Sequence, residues 1–221
     1  MARLRQAAYR FVSVLLLDPN EERLNAARDA ARYLGRTYRQ ASGLAFYKSW
    51  HTLLREVGAL GPLQISDIQK AYCSLFVGSS ARSPVPLHES PYLDPRGMAP
   101  GKVLVQVEAQ YTAAGLRSSP SVETPDHVAT EMEFVSFLCG KEAEAWRSVD
   151  VNQALDLLSR QKTFLEAHLF RWLPFLENAV ARRDRDGFYA EVIRASWALI
   201  AHDVDMTGFL ISRLREAVKV H

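Results

Sequence analysis

Pro120 to Phe134 reads PSVETPDHVATEMEF, and the point at which this stretch turns helical organises the reading of the whole chain. Thr124 is a good N-cap, because its hydroxyl can accept a hydrogen bond from a free amide of the first turn. Pro125 suits the first helical position, and Asp126 complements the positive end of the helix dipole. Val128, Met132, Val135 and Leu138 then recur at helical spacing and predict one inward face, with Gly140 as a plausible stop.

The same periodicity extends in both directions. Leu4, Ala8, Phe11 and Leu15 predict a helix over Arg3–Leu17, ending at Asp18-Pro19. Glu21–Ala41 follows with a sparser apolar face at Leu24, Ala27, Leu34 and Tyr38. Phe46, Trp50, Leu53, Leu54 and Val57 mark a third helix that stops at Gly58. Ser66 with Gln69 reads as a capping box opening a fourth, which carries Ile68, Tyr72, Leu75 and Phe76. Val103, Val107 and Tyr111 step along a fifth that Gly115 can end. Asp150 caps a helix through Leu158, Leu165 and Trp172, interrupted at Pro174. Phe188 to Val218 closes the series, with a bend expected near Gly208.

Between these helices, Val77 to Gly101 holds five of the ten prolines: Pro84, Pro86, Pro91, Pro95 and Pro100. Proline lacks a backbone donor and restricts the residue before it, so a long loop is expected here. Leu87, Tyr92 and Leu93 are apolar enough to pack it in place. No alternation of apolar and polar residues indicates a strand, and no repeat of about 20–50 residues is visible. The expected fold is all-α: one domain over residues 1–221, a bundle of about nine to eleven helices with a long Pro-rich loop near 77–101.

Composition narrows the function. With 27 basic against 25 acidic residues, the net charge of +2 gives no basic footprint for nucleic acid. Cys73 and Cys139 supply neither a disulfide framework nor zinc spacing, and two free thiols suit the reducing cytoplasm. Arg3, Arg5 and Arg10 precede the apolar run Phe11–Leu17, but no small-residue cleavage site follows. No run approaches the roughly 20 apolar residues that span a bilayer.

Catalytic and cofactor motifs were weighed in turn. No glutamate has a histidine three positions on, and His88-Glu89 lacks the second histidine of His-Glu-x-x-His, so no metal site is expected. Neither a phosphate loop nor a Gly-x-Ser-x-Gly elbow occurs, so no cofactor is expected. Asp203 and Asp205, two apart on a helix, do not share a face. Asp126 and His127 remain: a helix cap, or a polar site built on one.

Four stretches, in chain order, resemble the TorD/DmsD-type redox-enzyme maturation chaperones, related to the NarJ group. They are Tyr72-Cys73-Ser74-Leu75-Phe76-Val77-Gly78, Pro86-Leu87-His88-Glu89-Ser90-Pro91-Tyr92, Pro125-Asp126-His127 with Glu131-Met132-Glu133-Phe134, and Phe164-Leu165 with His168-Leu169, Trp172 and Pro174. The chain departs from the family pattern at Pro91, where a valine is usual. The resemblance implies an all-helical cytoplasmic chaperone that is not an enzyme. It would bind the apo catalytic subunit of a molybdopterin oxidoreductase, through its twin-arginine signal peptide, and assist cofactor insertion and assembly before export.

In such a site, Glu89, Glu123, Asp126 and Glu131 would offer carboxylates to guanidinium groups. Tyr72, Leu75, Phe76 and Tyr92 would line a groove for the apolar segment, beside Ser90. His127 would bond a peptide carbonyl, and Pro125 would fix the helix start. His168 and Trp172 are expected to pack in the core. The family's link to guanine nucleotide finds no phosphate loop here. Two alternatives stay open at this point: a small helical hydrolase or lyase using His127 with Asp126 or Glu131, and a helical adaptor for another protein.

Overall fold

Helix α7 (Val128–Arg147) is the axis around which the other elements assemble. The computed structural model describes residues 1–38, 43, 46–78, 83–94, 101–117 and 123–219. Preceding α7 are α1 (Ala2–Leu15), α2 (Glu21–Thr37), α3 (Tyr47–Gly58), α4 (Pro62–Tyr72) with a π-helical turn at Cys73–Val77, α5 (Ser90–Leu93) and α6 (Lys102–Ala113). Following it are α8 (Val151–Ala167), α9 (Leu169–Ala181) and α10 (Phe188–Lys219). The expected all-α class holds: among the described residues, the only strand-like feature is one antiparallel bridge between His88 and His127. The predicted loop residues Pro95, Gly97 and Pro100, and the quoted Pro120 to Val122, lie outside the described residues.

One apolar cluster joins the helices. Phe11, Val12 and Leu15 of α1, Trp50 and Leu53 of α3, Val128, Met132 and Leu138 of α7, Phe164 and Leu165 of α8, and Val192 and Ile193 of α10 are all buried in it. Burying each such side chain stabilises the fold by about 1.5–3 kcal/mol before ordering costs, so this cluster is the main driving force.

The ends of several helices differ from the sequence expectation, each for a local reason. α4 begins at Pro62, not at Ser66. Gly61 is its N-cap, and the Gln64 side chain accepts the Gly61 amide at 3.1 Å. Gly140 does not stop α7. It lies in mid-helix against α1, where a Cβ would come within 2.7 Å of Gln6 Nε2, so the glycine permits close helix approach. Pro174 lies inside α9, while the chain breaks earlier, at His168 (φ −120°, ψ −97°). α10 runs through Gly208 without interruption. Asp150 and Gly115 behave as expected: Asp150 accepts the Gln153 amide at 2.9 Å, and Gly115 ends α6 with φ +81°.

A buried guanidinium locks four helices into register. Arg5 of α1 makes a bidentate pair with Asp203 of α10, Nε to Oδ1 and Nη2 to Oδ2, both 2.7 Å. Its Nη1 reaches Glu142 of α7 at 2.9 Å, and Nη2 also donates to Gln161 of α8. Tyr9 donates to Asp203 Oδ2 at 2.9 Å, and Trp146 to Glu142 Oε1 at 3.0 Å. Desolvating such charges is costly, and their mutual geometry offsets that cost. Asp203→Ala would strand the Arg5 charge and is expected to destabilise the fold by about 3–5 kcal/mol in urea unfolding.

Candidate functional site

The segment from Pro86 to Leu93 is pinned against the start of α7 by its own backbone. The Glu89 amide donates to the Asp126 carbonyl at 2.9 Å, and the Val128 amide to the Leu87 carbonyl at 2.8 Å. These two bonds make the His88–His127 bridge. They also move the helix start. α7 begins at Val128, with His127 as the N-cap whose Nδ1 accepts the Ala129 amide at 3.1 Å. Thr124, Pro125 and Asp126, expected as cap and first turn, form instead the turn that precedes it. Pairing with residues 87–89 holds His127 in extended backbone (φ −73°, ψ 137°), and helix cannot start until that pairing ends.

Asp126 has its carboxylate fully occupied. Oδ2 accepts the Ser90 hydroxyl at 2.5 Å and the Ser90 amide at 3.2 Å, and Oδ1 accepts the Thr124 hydroxyl at 2.9 Å. Burial opposes the charge, but these hydrogen bonds prevail and hold the carboxyl below its ordinary range. His127 moves the other way. Burial first, and then the neighbouring His88, lower it to about 4 against the pull of Asp126. The ring is therefore neutral at physiological pH. With Asp126 committed to Ser90 and Thr124, and His127 to its cap, the pair is not arranged as an acid–base dyad.

Beneath this turn lies a buried polar relay. Glu131, fully buried, accepts the Trp172 indole N–H on Oε2 at 3.0 Å, while its Oε1 has no hydrogen-bond partner. Glu89 Oε2 is 2.8 Å from His168 Nδ1, and His168 Nε2 is 3.1 Å from Gln110 Nε2. The Tyr92 ring stacks on Trp172 with centroids 5.5 Å apart, and its hydroxyl donates to the Pro86 carbonyl at 2.9 Å. Tyr111 donates to the Pro125 carbonyl at 2.8 Å. The break at His168 thus turns that ring toward Glu89 and α6. Pro91 occupies the first turn of α5, where its missing amide costs nothing.

The sequence-predicted residues fall into two groups. Glu89, Ser90, Tyr92, Pro125, Asp126, His127 and Glu131 converge on the pinned turn. Of these, Ser90, Tyr92 and Pro125 reach the surface, whereas Glu89, Asp126, His127 and Glu131 are buried. Tyr72, Leu75 and Phe76 gather elsewhere, around Tyr189, with Phe76 5.0 Å and Tyr72 5.7 Å from its ring. Glu123 is exposed and lies between them electrostatically. Burial raises the Tyr72 phenol to about 12, and the charges of Glu123 and Asp18 contribute.

Sequence reasoning placed His168 and Trp172 correctly in the core but missed what they hold there. Their i, i+4 spacing within an apolar helix signalled burial, and a polar tip on each ring was the available hint of a buried carboxylate partner. His88 was missed altogether, because its pairing with His127 depends on a long-range bridge. His88, Glu123 and His127 place ligand-capable atoms within 4.8 Å of one another.

Burial, and then the Glu89 carboxyl, push Glu131 well above the ordinary range, against the opposing effect of the Trp172 N–H. A raised folded-state pKa favours folding at low pH, and that contribution fades as pH climbs above the unfolded value of about 4.3. Glu131→Gln removes this loss while keeping an acceptor for Trp172. Its melting temperature should exceed the parent's by more at pH 8 than at pH 5.

Comparison with known proteins agrees with this architecture. The family model described as nitrate reductase delta subunit matches residues 40–177. The chaperone protein TorD of Vibrio cholerae serotype O1 (strain M66-2) is 30% identical over 186 residues, covering 80% of this chain and 81% of the relative. TorD of Aliivibrio fischeri (strain ATCC 700601 / ES114) is 27% identical over 154 residues, covering 69% and 63%. A crystal structure described as a redox enzyme maturation protein of Archaeoglobus fulgidus superposes with a TM-score of 0.54 at 20% identity, covering 87% of this chain and 91% of that one, and so shares the fold. The chain belongs to the nitrate reductase delta subunit (TorD/NarJ) family.

Proposed function

We propose that this chain is a cytoplasmic, system-specific chaperone without catalysis of its own. It binds the apo catalytic subunit of a molybdopterin oxidoreductase, engages that subunit's twin-arginine signal peptide, and assists cofactor insertion and assembly before export. The TorD relatives are named chaperones, and family membership supports the general role. The peptide-binding part is supported by one observation: an apolar groove beside the Tyr72–Phe76 ridge, edged by carboxylates.

That groove encloses about 450 Å³ between α3, α4 and the start of α10, floored by Leu60, Ile68, Ala71 and Phe188 with Glu56 and Asp67 on its edge. Ala71 leads directly into Tyr72 and Phe76, and Phe188 packs against Tyr189 at 5.2 Å. The floor and the aromatic ridge are therefore one continuous surface. Val77, 63% exposed, extends it. A signal peptide presents two guanidinium groups followed by an apolar stretch. Exposed carboxylates answer the first, since each charge-assisted bond contributes about 1.5–3 kcal/mol, and the groove answers the second.

The burial pattern redistributes the roles within the site. Glu123 is the carboxylate in position to meet a guanidinium. Glu89, Asp126 and Glu131 act from beneath, fixing the pinned turn and the Tyr92 ring in a rigid surface. His127 belongs with them, as the cap. Ser90, Tyr92 and Pro125 form the exposed part of this turn.

Two experiments test the proposal. A pull-down from the native host, read by mass spectrometry, should recover a large molybdopterin subunit with its N-terminal extension uncleaved. Recovery of the bait alone, with the client genes expressed, would refute it. In addition, Glu123→Lys should weaken binding of a synthetic twin-arginine peptide on the order of tenfold without lowering the melting temperature.

A further inference from the structure

We infer that His88, Glu123 and His127 form a binding site for a divalent first-row metal ion of the zinc class. The three side chains come from two segments that the chain brings together only through the His88–His127 bridge, and their ligand atoms all lie within 4.8 Å of one another. Two imidazoles and one carboxylate, with a position left open, are a donor set that suits zinc, and imidazole favours the later first-row ions over magnesium or calcium. Metal–ligand bonds of about 2.0–2.2 Å need the three atoms somewhat closer together than they are here. His88 is partly exposed and Glu123 is exposed, so both can rotate inward. His127 is the fixed member.

The positive end of α7 opposes a cation at this place. Charge already present offsets it: the Asp126 carboxylate is one residue from His127, and Glu123 supplies a second anionic group. The rings of His88 and His127 meet edge to face with centroids 5.0 Å apart, which leaves neither ring stacked over by the other.

Binding has a specific structural consequence. His127 Nδ1 accepts the Ala129 amide at 3.1 Å, so the neutral ring carries its proton on Nε2. A metal ligated through Nε2 takes that proton's place, and the ring's proton moves to Nδ1. Nδ1–H then faces the Ala129 N–H, and the cap bond is lost. The metal-bound and capped states of His127 exclude one another. Losing one such cap weakens metal affinity roughly fivefold. In return, the ion reports its presence on the first turn of α7. This inference does not rest on the client reading, because it needs no peptide.

The test uses chelator-treated full-length protein titrated with zinc chloride in a calorimeter, and with magnesium chloride as control. One zinc per chain should bind, magnesium should give no heat, and the Ala129 amide should exchange faster with zinc present. His88→Ala and Glu123→Gln should each lower zinc affinity at least tenfold. Glu123 is exposed, so its variant decides the matter if His88→Ala fails to fold. Absence of zinc binding, or unchanged affinity in Glu123→Gln, would overturn the assignment. Unchanged exchange at Ala129 would do the same.

Discussion

The bundle depends on one guanidinium. Arg5 is buried where α1, α7, α8 and α10 meet, and it bonds to Asp203, Glu142 and Gln161 together. Apolar packing tolerates small slips of one helix along another, because hydrophobic attraction has no direction. A planar fork with fixed donor directions does not. Once Arg5 is seated, α7 is fixed along its length, and its N-terminal end must present His127 and Glu131 at one defined height. The functional turn is positioned from the opposite side of the molecule.

At that N-terminal end the design is layered. Buried carboxylates and aromatic donors form a hidden level: Glu131 with Trp172, Glu89 with His168. Above it, Asp126 ties Ser90 and Thr124, and the outermost level is Tyr92, Ser90 and Pro125. Each level is satisfied mainly by the one below. The unpartnered Glu131 Oε1 is an exception, consistent with a carboxyl that burial and Glu89 push well above its ordinary range.

Helix identity was legible from spacing, since the apolar rows of α1, α3, α7 and α8 are strict enough to define their inner faces. Helix ends were less so. Gly140 resembles a stop until Gln6 is seen against it, and Ser66 resembles a cap because nothing local shows that Gly61 and Gln64 are already serving. At the site, the residue types were readable but not their depth. Glu89 and Glu131 look like surface carboxylates in sequence, and only the meeting of α6, α7 and α9 makes them interior. Register between segments distant in sequence is a tertiary property, and no local window contains it.

The π-helical turn at Cys73–Val77 has a consequence for how such a surface could diversify. The Gly78 amide reaches back five residues to the Cys73 carbonyl at 2.9 Å, so the turn holds one residue more than an α-turn would. Deleting one residue there would restore α geometry and swing everything after it by about 100° around the helix axis. Leu75 or Phe76 would exchange inner and outer places while the core behind them kept its composition. A lineage could in this way change the shape it offers to a guest chain by altering length at a single codon, leaving the buried chemistry of the scaffold untouched.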